Sequence, residues 1–314
     1  MNFAGDTKSV PGTVVVVAGP TAAGKSELAL SLAQELDGEI INADSMQLYR
    51  GMDIGTAKLT ENERRGIPHH LLDIWNVTYT ANVAQYQALA RRTVDDIVAR
   101  GKTPVLVGGS GLYIQAVVDV MEFPGTDAAI RARLETELQQ YGAEAMHSRL
   151  RNQDPAAAEA ILPTNGRRIV RALEVVALTG SFTARLPSRT AAYPAVFIGV
   201  DRQTEELDAR IQVRAERMWQ QGLVEEVVGL LEHGIKDAVT ASKALGYRQV
   251  LDFLDGVHDE QEALRKTITG TRRFVRRQRS WFGRDDRITW LDAAEPNLSS
   301  MALDVVEDRL ATKK

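Results

Sequence analysis

The chain has 314 residues, 44% hydrophobic and 25% charged, the profile of a globular protein with one large or two ordinary domains. It has no cysteine, which excludes disulfides, cysteine-ligated zinc and thiolate catalysis; no apolar run nears the about 18 residues that span a bilayer, and Met1–Asp6 carries no basic segment leading into an apolar stretch, so a cytoplasmic protein is expected. A net charge of −4 would argue against nucleic acid if charge were evenly spread, yet nine Lys and Arg face only two Asp between Arg265 and Arg287, a local surface suited to binding nucleic acid.

The first predicted strand, 13–18, runs into Gly19-Pro20-Thr21-Ala22-Ala23-Gly24-Lys25-Ser26. This is a complete G-x-x-x-x-G-K-S loop, and the helix-favouring stretch 27–33 follows it. Glycines at 19 and 24 let backbone N–H groups turn inward on phosphate oxygens while the following helix directs its positive end at them. Lys25 adds a point charge and Ser26 a hydroxyl ligand for Mg²⁺, so a di- or triphosphate is the expected occupant of residues 19–26. The second strand, 39–43, ends at Asp44, a candidate general base or metal ligand whose plainer reading is an Asx-turn residue. Gln47, three residues on, pairs a donor with an acceptor and suits the edge of an adenine. His69 and His70 follow Pro68 with no carboxylate cluster beside them and are read as loop residues without a metal role.

The third strand, 103–107, ends at Gly108-Gly109-Ser110-Gly111. Strand–helix alternation predicts an α/β fold with a parallel sheet and flanking helices. Ligands of such sheets bind beyond the carboxyl ends of the strands, so the phosphate loop, Asp44 and Ser110 are expected to converge on one crevice. From about 122 to 193 no strand is predicted, only helices at 127–141, 143–152, 155–162 and 167–179, the last capped by Gly180. This reads as an inserted all-helical subdomain, 122–193, in a core formed by 11–121 plus 194–314. A strand at 195–200 precedes helices at 204–221, 223–233, 242–255 and 259–282, then a short strand at 288–291 and a terminal helix. Along 271–282, Arg272, Arg276 and Arg279 share one face, with Arg273 and Arg277 adjacent, a basic stripe expected to meet phosphates; Phe274 and Trp281 are expected to pack into the core.

Taken together, the phosphate loop, Asp44-Ser45-x-Gln47-x-Tyr49-Arg50, Gly51-Met52-Asp53-Ile54-Gly55-Thr56-Ala57-Lys58, Gly108-Gly109-Ser110-Gly111-Leu112-Tyr113, Arg171-Ala172-Leu173-Glu174 and Gly246-Tyr247-Arg248 resemble the bacterial tRNA dimethylallyltransferase (tRNA isopentenyltransferase) family. The resemblance runs in order from residue 13 to about 291. A phosphate loop alone is shared by many functions, whereas this ordered set is specific. It implies a P-loop NTPase-like sheet and transfer of a dimethylallyl group from dimethylallyl diphosphate to N6 of the adenosine 3′ of the anticodon, in tRNAs that read codons beginning with U.

The resemblance further implies that the diphosphate occupies the loop, with Thr21 and Arg214 touching it, Lys25 and Mg²⁺ at Ser26 stabilising it as leaving group, and Asp44 as the base. Asp44, Ser45, Met46, Gln47 and Ser110 are implied to meet the substrate nucleoside. Arg131, the run Arg167-Arg168-Ile169-Val170-Arg171, Lys243, Gly246, Tyr247 and Arg248, and Arg272, Arg276 and Arg277 of the basic helix are implied tRNA contacts. A tRNA anticodon stem-loop and dimethylallyl diphosphate are the implied partners of a monomer with no obligatory protein partner and no membrane. The adenine, normally stacked, is expected to be extruded into a pocket floored by Asp44 and Gln47. The residues alone leave other readings open. These are a phosphotransferase with ATP in the loop and Asp201 as a second metal carboxylate, a nucleotide-gated RNA-binding switch, and a prenyltransferase acting on free adenine nucleotides.

Overall fold

In the computed structural model, residues 12–183 and 189–311 are described; the expectation for Met1–Asp6 lies outside the described residues. They fall into two units, one comprising Val120–Thr190 and the other the remainder.

The larger unit is built on a six-stranded sheet in the order β3-β2-β4-β1-β5-β6, parallel throughout. Its strands are β1 (Val14–Ala18), β2 (Gly38–Asn42), β3 (His69–His70), β4 (Thr103–Gly108), β5 (Ala195–Asp201) and β6 (Ile288–Asp292). A central parallel strand is covered on both faces, which is why β1 reads as an unbroken run of valines rather than an alternation. Its side chains still alternate between two cores. Val14 and Val16 join Ile41, Leu106, Tyr86 and Phe197 on one face. Val15 and Val17 join Ile40, Val105, Ile198 and Leu28 on the other.

Register decides where the chemistry sits. Ala18 pairs with both Gly108 and Gly199, and Asn42 with Val107, so the carboxyl ends of β1, β2, β4 and β5 are level. The turns that follow them leave the sheet along one edge. The helices of this unit are α1 (Lys25–Glu35), α2 (Val83–Ala99), α3 (Gly111–Val118), α7 (Thr204–Gln220), α8 (Leu223–Leu231), α9 (Tyr247–Leu254), α10 (Glu260–Phe282) and α11 (Leu298–Ala311). The smaller unit holds α4 (Ala128–Gln153), α5 (Pro155–Glu159) and α6 (Gly166–Thr179) around Leu134, Leu150, Ile169 and Leu173.

The structure corrects several sequence expectations. His69 and His70 form a short edge strand on β2 rather than a free loop, and His70 Nε2 lies 2.6 Å from Glu39 Oε2. The expected helix 242–255 is a 3₁₀ turn, Ala241–Lys243, followed by α9, because the chain turns extended at Ala244 and Gly246, at φ 88°, caps the start of α9. The helix at 155–162 stops at Glu159. Helix α2 has no counterpart in the sequence reading; its signal is Asn82, whose side chain accepts from Gln85 N–H. Within α4, Gly142 leaves helical geometry at φ 78°, so the two helices foreseen there run on through a kink.

Candidate active site

The loop between β1 and α1 is shaped by the residues it packs on. A Cβ at Gly19 would stand 2.1 Å from Val200 O, so only glycine lets the loop leave the sheet there. Gly24, at φ 113°, turns the chain into α1. Lys25 folds back to donate from Nζ to Pro20 O at 2.7 Å. Burial brings its pKa down to about 8; Asp44 opposes that shift and Arg214 adds to it.

Three arginines of α7 face the loop. Arg214 Nη1 donates to Thr21 Oγ1 at 3.2 Å and Arg210 Nε to Ala22 O at 3.0 Å. With Arg217, Lys25, Ser26 and Gly24 they line a cleft of about 500 Å³, a volume typical of small-ligand sites. Four cations against Glu27 and Glu206 make it a site for an anion. Burial lowers the Arg214 pKa, and Asp44 opposes that shift, so one carboxylate acts on both principal cations.

Ser26 is exposed at the start of α1. No group of three or more His, Asp or Glu side chains able to hold a metal exists among the described residues. One free hydroxyl fits Mg²⁺, which takes its remaining ligands from substrate phosphates and water.

Asp44 is fixed from below. Buried Asn42 accepts from Asp44 N–H at 2.9 Å and donates to Asp44 O and Leu71 O, each at 3.0 Å. Asp44 Oδ1 accepts from Met46 N–H at 2.9 Å, so the Asx turn is present. Oδ2 has no hydrogen-bond partner among the described residues, which leaves a rigidly mounted carboxylate with one oxygen available. Ser45 N–H donates to Ser110 Oγ at 3.3 Å, bringing residues 65 apart together. Met46 packs partly buried against the core. Gln47 Nε2 donates to Thr56 O at 3.0 Å, so its amide nitrogen is committed and its carbonyl oxygen remains.

Other expectations are redirected. Tyr247 is fully buried and donates its hydroxyl to Glu226 Oε1 at 2.5 Å, so it cannot stack on a base; Gly246 is buried beside it, while Lys243 and Arg248 are exposed. On α10, Arg279 grips Asp201 with Nε and Nη2 at 2.7 and 2.9 Å, and Arg272 lies 3.4 Å from Asp208. The stripe therefore divides: Arg272 and Arg279 are tied to the core, and Arg273, Arg276 and Arg277 stay exposed. The same pair commits Asp201, which removes the second metal carboxylate of the phosphotransferase reading. Phe274 is half-buried beneath Arg277, at 5.6 Å, and Trp281 is 36% exposed against Gly111; neither is a core residue as expected.

In the smaller unit, fully buried Glu174 pairs with Arg131 Nη2 and, at 2.8 Å, with Arg171 Nη1. Arg131 thus ties α4 to α6, while Arg171 lies on α6 itself and donates to Gly125 O and Pro124 O ahead of α4. Ile169 and Val170 are buried, which removes their side chains from any surface contact, while Arg167 and Arg168 are exposed. Sequence reasoning missed Gln278, whose buried amide bonds Thr21 N–H and Gly109 O. The signal was a polar residue on the apolar stripe of α10.

A family profile described as IPP transferase matches residues 47–285. The chain is 63% identical over 296 residues to a tRNA dimethylallyltransferase of Salinispora arenicola, covering 94% of this chain and 86% of that one. It is 58% identical over 300 residues to a tRNA dimethylallyltransferase of Thermobifida fusca, covering 94% of each. Among solved structures, the tRNA isopentenylpyrophosphate transferase of Bacillus halodurans superposes with a TM-score of 0.71 at 37% identity, over 96% of this chain and 99% of that one. A eukaryotic dimethylallyltransferase acting on tRNA gives 0.82 at 26% identity, over 96% and 80%.

Proposed function

The chain belongs to the IPP transferase family, and on that premise we propose that it is a tRNA dimethylallyltransferase, a prenyltransferase that moves the dimethylallyl group of dimethylallyl diphosphate to N6 of the adenosine 3′ of the anticodon. The observation that carries the reading is a cationic cleft built on a phosphate loop, with a half-free carboxylate at the next strand end acting on its two principal cations.

The donor's diphosphate lies along residues 19–26, with Lys25, Arg214 and the Thr21 hydroxyl on its oxygens. The adenine enters from the side of Asp44, Gln47 and Ser110. The N6–C1 bond forms as the allylic C1–O bond breaks, the N6 proton passes to Asp44 Oδ2, and the electron pair leaves with diphosphate. A positioned base contributes about 10²–10⁴-fold to such a step, and fixed cations aimed at the leaving group add to it without reorganisation. Ser26 would hold Mg²⁺ through its hydroxyl, and the ion would supply further positive charge for the leaving group. Arg167 and Arg168 of the smaller unit, with Lys243, Arg248, Arg276 and Arg277 of the larger, supply phosphate contacts that position the RNA. The enzyme works in the cytoplasm as a monomer.

The test is mass spectrometry of nucleosides from an anticodon stem-loop incubated with enzyme, Mg²⁺ and dimethylallyl diphosphate. N6-prenyladenosine at the single position 3′ of the anticodon is expected. An unmodified stem-loop with active donor would overturn the proposal.

A further inference from the structure

Gln278 is 5% exposed on the buried face of α10, beside Val275 and Phe282. Its Oε1 accepts from Thr21 N–H at 2.9 Å and its Nε2 donates to Gly109 O at 2.9 Å, spanning 257 and 169 residues of sequence. Both contacts are demanding. A Cβ at position 109 would stand 2.2 Å from Nε2, so glycine there makes room for the amide. Thr21 is meanwhile held at its hydroxyl by Arg214, which leaves the residue fixed at backbone and side chain alike.

Gly109 precedes Ser110, whose hydroxyl meets Ser45 N–H, next to Asp44. One planar amide thus links the loop assigned to the donor with the turn assigned to the acceptor. We propose that Gln278 is a positioning residue that sets the spacing between these two half-sites, acting through Thr21 and Gly109 rather than touching substrate. This rests on the functional reading above. The amide is required because one end must accept and the other donate; misplacement of reacting groups by about 1 Å costs on the order of 10²-fold.

The requirement yields a test that loss of packing would not mimic. A protonated carboxyl keeps one acceptor and one donor on the same frame, whereas an ionised one has no donor for Gly109 O and is desolvated besides. The charged groups around the joined elements are Lys25 on the loop, Arg202 and Arg210, which donate to Ala23 O and Ala22 O, Arg214 on α7, Asp44 at the acceptor turn, and on α10 Arg272, Arg273, Arg276 and Arg277 besides the Arg279–Asp201 pair. Because Lys25 itself titrates near 8, the readout is the ratio of variant to wild type between pH 5.5 and 7.5.

For Gln278→Glu, kcat relative to wild type is expected to be near 1 at low pH and to fall about tenfold per pH unit above the pKa of the introduced carboxyl. For Gln278→Leu, kcat is expected to drop about 10- to 100-fold at every pH, with stem-loop affinity within about twofold of wild type because Arg276 and Arg277 are untouched. A pH-independent Gln278→Glu ratio, or wild-type kcat in a folded Gln278→Leu, would overturn the proposal. Affinity for inorganic diphosphate, measured on the same variants, separates this proposal from the functional reading. Wild type that binds diphosphate yet transfers nothing sinks that reading alone, and the pH-dependent ratio of diphosphate affinities then decides the role of Gln278.

Discussion

Replacing Asp44 by Asn removes a base while leaving the local fold standing. The amide oxygen still accepts from Met46 N–H, and Asn42 still holds the backbone N–H and carbonyl of residue 44, so stability should stay within about 1 kcal/mol of wild type. What is lost is the Oδ2 lone pair that takes the N6 proton. A base worth about 10²–10⁴-fold corresponds to about 2.7–5.5 kcal/mol of barrier. Donor affinity at pH 6.5 should hold or tighten, because a carboxylate near the cationic cleft repels diphosphate. A second consequence follows from charge. Asp44 counters the burial that depresses Lys25, so without it the Lys25 pKa falls below 8 and the donor-binding midpoint moves to lower pH. The assay is single-turnover transfer from labelled dimethylallyl diphosphate to a stem-loop, with donor affinity measured in parallel from pH 6 to 9. A single-turnover rate within about threefold of wild type would remove Asp44 as base, and an unmoved midpoint would refute the electrostatic coupling.

In the wild type, donor affinity should be flat below pH 7 and weaken about tenfold per unit above pH 8 as Lys25 loses its proton, with proton uptake on binding; calorimetry in buffers of different ionisation enthalpy reads this, and affinity flat to pH 9.5 would contradict it. Glu39 is held down to about 2, first by its hydrogen bond from Arg100 and then by His70. A depressed carboxyl stabilises above its unfolded pKa near 4.3, and that stability is lost as pH falls toward 2. Glu39→Gln should therefore have a lower Tm at pH 7, and the gap should close by about pH 2; a gap independent of pH would point to packing instead. A fluorescent adenine analogue at the target position should brighten on binding if the base is unstacked, and an unchanged signal with competent enzyme would count against extrusion.

What was legible in the sequence was whatever short-range chemistry determines. Five short runs rich in β-branched residues declared the longer strands, and the phosphate loop declared its own context because its glycines and lysine lie within seven residues of sequence. Convergence of the loop, Asp44 and Ser110 followed from the rule that parallel strands present their carboxyl ends together, and the register of Ala18 with Gly108 and Gly199 is its physical basis. Tertiary pairing was not legible. The basic stripe gave no sign that Arg279 would be taken by Asp201 or Arg272 by Asp208, and Tyr247 resembled an exposed stacking residue until Glu226 was found against its hydroxyl. The two-residue strand at His69 is too short for any periodicity to mark. Gln278 escaped because its partners lie more than 160 residues away.

The most direct measurement incubates the protein with Mg²⁺ and label on the dimethylallyl group of the donor, offering the label three destinations: an anticodon stem-loop with adenosine 3′ of the anticodon, free AMP, and water, with ATP and RNA in a parallel tube. Label is expected in the RNA alone, its rate of appearance cut about 10²–10⁴-fold by Asp44→Asn. Label in AMP would move the acceptor to free nucleotides, and ATP turnover without prenyl transfer would contradict the account at its centre.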